Sequence, residues 1–86
     1  PRVRTGIVPS ARPDDGVVVS QVFDSTSAAD AGIEEGDVII EWDGTPTPDV
    51  HAWMPLLLDH EPGEEIKVKI RRDDQEIELI MILRAP

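Results

Sequence analysis

At 86 residues the chain has the length of one domain, and a domain this small buries only about 60–65% of its unfolded surface, which leaves little room for a deep catalytic cavity. It contains no Cys, so neither disulfides nor thiolate metal sites brace it. Its net charge of −10 argues against nucleic acid and anionic membranes as partners, because both require a basic footprint.

The charge is unevenly spread. Residues 1–12 carry Arg2, Arg4 and Arg12 and no acid, whereas residues 13–64 carry acids and no Lys or Arg. The three arginines are therefore the only Lys or Arg residues before Lys67. No apolar run approaches the roughly 20 residues of a membrane span, and no signal peptide is visible. The chain opens at Pro1 rather than Met, which reads as one domain, residues 1–86, taken from a longer protein.

Val3 to Val8 reads as a first strand with Gly6 inside it, a residue that marks a bend or a close backbone approach. Ser10 to Gly16 is a loop dense in turn formers. Gly16 to Phe23 is β-branched and mostly apolar, as a central strand requires. Asp24 to Ser27 supplies several potential caps for one helical turn, Ala28 to Ala31, with Gly32 placed to end it in a left-handed conformation. Val38 to Trp42 is a strand, and Asp43-Gly44 a tight turn.

Thr47-Pro48-Asp49 resembles a helix start, with Thr47 as cap and Pro48 at the first helical position. That helix is expected to run to about His60, with a kink or a restart at Pro55, and to stop before Pro62-Gly63. Glu65 to Arg71 alternates as a strand with one wet face. Asp73-Asp74 turns the chain into a last strand, Glu76 to Leu83, with Ile77, Leu79, Met81 and Leu83 on one face and Ile80 and Ile82 on the other. The expected fold is α+β: five or six antiparallel strands in a partly open barrel or sandwich, with one short and one longer helix.

No catalytic or metal-binding constellation survives inspection. His51 and His60 are the only histidines and lie nine residues apart, whereas a metal site needs three or four convergent ligands. The serines lack a His in any triad pattern, and Asp14-Asp15 and Asp73-Asp74 sit where turns favour Asp for backbone reasons. The domain is expected to be non-catalytic and to hold no metal or cofactor.

The succession of these pieces resembles a PDZ domain. The most distinctive segment is Ser27-Ala28-Ala29-Asp30-Ala31-Gly32-Ile33-Glu34-Glu35-Gly36-Asp37-Val38-Ile39, followed by Asp43-Gly44, Pro62-Gly63 and Arg72. The chain order resembles the circularly permuted bacterial type attached to proteases. Such domains occur in HtrA-type serine proteases, site-2-type and tail-specific proteases, and zinc aminopeptidases. Thr5-Gly6-Ile7-Val8-Pro9 looks closest to the aminopeptidase group.

The resemblance implies a module that adds an extended peptide, usually a free C-terminus, as an extra strand. Arg4-Thr5-Gly6-Ile7 would be the carboxylate loop, with the N–H groups of Thr5, Gly6 and Ile7 as donors. Ile7, Val8, Pro9 and Ser10 would form the receiving edge, and Val50, Met54 and Leu57 the apolar helix wall. Thr5 stands where the family usually has an apolar residue, and Pro9 lacks one ladder donor. For Gly6 the plainer reading is a strand bend; for Arg2 and Arg4, a solvated face; for the helix residues, core packing. Expected partners are a peptide or protein C-terminus and a neighbouring peptidase domain in a periplasmic or cell-envelope protein. The alternative is an assembly domain with a vestigial groove.

Overall fold

The computed structural model describes residues 5–10 and 16–84, with the backbone alone for Asp59. The arginines at 2, 4 and 12 and the proposed strand start at Val3 lie outside the described residues.

Six strands form one antiparallel sheet: β1 (Ile7–Ser10), β2 (Val17–Val22), β3 (Val38–Trp42), β4 (Thr45–Pro46), β5 (Glu65–Arg72) and β6 (Gln75–Ile82). Their order is β1-β2-β3-β5-β6, with β4 paired to β3. The alternation in β5 puts Ile66, Val68 and Ile70 into the core and Lys67 outward. β6 buries Met81, and Leu83 just beyond it is buried too, while Ile80 and Ile82 are about half exposed. Both central residues of the β5–β6 turn, Asp73 and Asp74, have positive φ (51° and 63°). That is the twist a two-residue hairpin demands, and Asp tolerates it better than most residues.

Helix α1 (Ser27–Ala31) is capped by Thr26, whose Oγ1 accepts from Ala29 N, and ends at Gly32 with φ 92°. The expected longer helix is split. One α turn, α2 (Val50–Trp53), passes into a 3-10 helix, Met54–Asp59, with Pro55 in its first turn. Pro55 has no N–H to continue the α ladder, so the chain tightens at that point instead of breaking.

The start of α2 differs from expectation. Asp49, not Thr47, is the cap, its Oδ1 accepting from Ala52 N at 2.8 Å. Thr47 is fully buried and its Oγ1 donates to Ile39 O at 2.9 Å, so it ties the chain to β3 before the helix begins. Pro48 thus lies outside the helix. Thr47→Val keeps the shape and deletes this bond. It should lower stability by about 1–2 kcal/mol in urea denaturation, whereas no shift in the midpoint would remove the tie from the account.

The core gathers Val17, Val19, Ile39, Ile66, Ile70 and Met81 around Trp42 and Trp53. The two indoles meet edge to face, centroids 6.0 Å apart at 78°, a favoured geometry for aromatic pairs. Ile7, Val50, Leu56 and Leu57 pack against this core from its margin.

Candidate peptide-binding site

The candidate site begins at the turn before β1. Gly6 has φ 84°, and a Cβ there would overlap the Thr26 side chain, so the bend brings the chain against the cap of α1. The loop is held from behind: Thr5 O accepts from Ala28 N at 2.9 Å, and Gly6 O accepts from Phe23 N at 3.0 Å. Thr5 is buried, and its hydroxyl accepts from Ile7 N at 3.3 Å. That long bond occupies one of the three N–H groups expected to face a carboxylate.

From Gly6 the polarity of the edge follows by alternation. Gly6 O points to β2, so Ile7 presents its N–H and C=O to the opposite side, Val8 faces β2, and Pro9 faces outward again. The register shift falls between Val8 and Pro9, where β2 contributes the extra residue. Among the described residues β1 pairs with β2 alone, which leaves its outer edge without a strand partner. Pro9 therefore costs the sheet no hydrogen bond, but it removes a donor from the open edge.

On the helical side, Trp53 belongs to the core (1% exposed) and Met54 is exposed (51%), as a wall of Val50, Met54 and Leu57 requires. Val50 and Leu57 are half-buried against the core. The tighter 3-10 winding repeats every three residues and so brings Met54 and Leu57 onto one side. Arg4 lies outside the described residues. Sequence reasoning passed over Phe23, which is 45% exposed and bonded to the Gly6 carbonyl. It reads as the end of a buried strand, and nothing local indicates that the strand emerges there.

Two side-chain networks brace the frame. Asp37 is buried (2% exposed) and takes the Arg72 guanidinium as a fork: Nε donates to Oδ1 at 2.8 Å and Nη2 to Oδ2 at 2.7 Å. Arg72 Nη2 also donates to Gly32 O, and Nη1 lies 3.0 Å from Glu34 Oε2. Hydrogen bonding to Asp37 holds the Arg72 proton far above its ordinary range. The second network runs from the core to the surface beside the 3-10 helix: Trp42 Nε1–H donates to the buried His60 Nε2 at 3.0 Å, and His60 Nδ1 contacts the partly exposed Glu64 Oε2 at 2.7 Å. The bond from His60 is the main cause that keeps the Glu64 carboxyl below the ordinary carboxylate range.

The comparisons agree with this fold. The PDZ domain family model matches residues 5–83. The chain is 38% identical over 64 residues to a probable periplasmic DegP-like serine endoprotease of Rickettsia conorii, covering 74% of this chain and 13% of that one. Among solved structures it matches the HtrA-type protease AlgW with decapeptide (TM-score 0.90, 25% identity, 99% of this chain and 30% of that one). It also matches an aminopeptidase N family protein of Idiomarina loihiensis (TM-score 0.89, 28% identity, 99% of this chain and 14% of that one). The chain thus spans a minor part of each of these proteins, and it belongs to the PDZ domain family.

Proposed function

We propose that this domain binds the C-terminus or an extended segment of a polypeptide and recruits substrate to, or regulates, a protease in the same chain. The observation that carries the reading is the open edge of β1, which starts at the Gly6 bend; Ile7 on this strand and Val50 and Leu57 on the helical side pack at the margin of one core, with Met54 exposed. A strand edge offers main-chain bonds to any extended peptide, and the flanking apolar side chains select its residues. Thr5, Gly6 and Ile7 receive the terminal carboxylate, with Arg4 adding positive potential, and Val8 holds the edge against β2. AlgW, solved with a decapeptide, supports the reading by likeness. Likeness to HtrA-type serine proteases and, second, to an aminopeptidase N family protein supports a parent protease of one of these kinds, and the periplasmic relative supports a periplasmic setting.

A second reading, an assembly domain with a vestigial groove, draws on two features: Thr5 Oγ1 occupies Ile7 N–H, and Pro9 subtracts an edge donor. Calorimetric titration with a library of C-terminal peptides, each as free acid and as amide, separates them. The first reading predicts that the acid binds at least about tenfold more tightly than its amide, the size of one lost charge-assisted bond. Equal binding of acid and amide, or none at millimolar peptide, would favour the second.

A further inference from the structure

The Trp42–His60–Glu64 chain is satisfied by one protonation state alone. An indole N–H can only donate and an ionised carboxylate can only accept. His60 must therefore keep Nε2 bare toward Trp42 and carry its proton on Nδ1 toward Glu64. His60 is 7% exposed and Trp42 1%, so the bond between them is buried. A second proton on the ring would set N–H against N–H across the 3.0 Å gap. A cleft lined by Trp42, Asp43, Thr45, Leu56, His60 and Glu64 opens beside the ring. Both charged residues on it are acidic. Glu61 reaches the pair through its backbone N–H, which donates to Glu64 Oε1. The imidazolium thus has an anionic, wetter place to swing into and no buried place to stay.

His60 directly follows the 3-10 helix that carries Leu57. Its ring ties the end of that helix to Trp42 on β3. We infer that His60 is a proton-operated latch: neutral, it fastens the C-terminal end of the 3-10 helix to Trp42, and protonated, it releases that end and loosens the helical wall of the groove. The link to the groove rests on the peptide-binding reading above; the latch itself does not.

The test uses the 86-residue chain without peptide, titrated from about pH 8 to pH 5, the interval in which histidines change charge. Trp42 and Trp53 are the only tryptophans, and Trp53 Nε1 is buried without a hydrogen-bond partner among the described residues, so its indole N–H signal serves as the internal control. The Trp42 indole N–H should move with a single-proton midpoint while Trp53 moves less, and the amides of Met54 to Leu58 should follow the same midpoint. His60→Gln can accept from Trp42 and donate to Glu64 without titrating, and should abolish both responses. A Trp42 signal that does not change with pH overturns the latch. So does a response that persists in His60→Gln, or a Trp42 response that the 54–58 amides do not share. Peptide affinity, measured in parallel, should fall on the order of tenfold with acid in the wild type and stay level in His60→Gln. Absence of peptide binding at the alkaline end counts against the groove reading, while the peptide-free titration still decides the latch.

Discussion

Replacing Arg72 with alanine is expected to lower the unfolding free energy by about 3 kcal/mol, the lower end of the range for breaking a buried ion pair. The size follows from asymmetric exposure. The Arg72 side chain is 29% exposed and would have given up little hydration, whereas that of Asp37 is 3% exposed and would be left as a buried charge. Asp37 would keep one donor, Glu34 N at 2.8 Å, which is why the loss stays below the top of the range. The guanidinium also ties the end of β5 to the Gly32 carbonyl after α1, a bond that is lost with it. Lysine at 72 retains the charge but not the fork, and should recover less than half of the loss. For a domain of this size total stability is roughly 4–13 kcal/mol, so Arg72→Ala should unfold at visibly lower urea. Pairing it with Asp37→Asn should cost less than the sum of the two single changes. A loss within about 0.5 kcal/mol, as for an ordinary surface residue, would contradict this role.

Gly6→Ala is the second large effect, expected at about 2–4 kcal/mol. Two costs combine. Holding an alanine at φ 84° costs about 1 kcal/mol, and the new methyl overlaps Thr26, which adds an overpacking cost of about 1–3 kcal/mol. Gly44 offers a control, because it has the same φ of 84° with open space around it. Gly44→Ala should therefore show the conformational cost alone. The difference between the two variants measures how tightly the candidate carboxylate loop is seated on α1. Equal losses, read from urea denaturation, would mean that the loop has slack where the structure shows contact.

What could be read from the residues beforehand was mostly local. Gly32 as a helix stop, the Asp73-Asp74 hairpin and the interruption at Pro55 each depend on the conformational limits of one or two residues. The order of strands followed from periodicity, and the family resemblance supplied its topology. Features set by distant residues were not legible. Asp37 and Arg72 are 35 residues apart, and Trp42 and His60 are 18 apart. No spacing rule joins such pairs until the sheet does. Thr47 illustrates a local rule defeated by tertiary structure: its hydroxyl was a good cap, but a buried Ile39 carbonyl claimed it. The two-residue β4 was too short to show a period. At the candidate site, the sequence pointed to Gly6, Val50, Met54 and Leu57; because both faces of the helix are apolar, periodicity alone did not decide between Trp53 and Met54 as the inward residue, and the fold buries Trp53. The competition of Thr5 Oγ1 for Ile7 N–H also required geometry, because its significance lies in one bond 3.3 Å long.

The central claim is that the Gly6 bend and the edge it opens receive a peptide terminus. Amide NMR of the domain during titration with a C-terminal peptide tests it most directly. The account predicts large, saturable shifts at Thr5, Gly6 and Ile7 with the free acid, accompanied by methyl shifts at Val50, Met54 and Leu57, and much smaller shifts at the loop with the amide. Saturable shifts confined to some other face, or a loop that does not distinguish acid from amide, would contradict it.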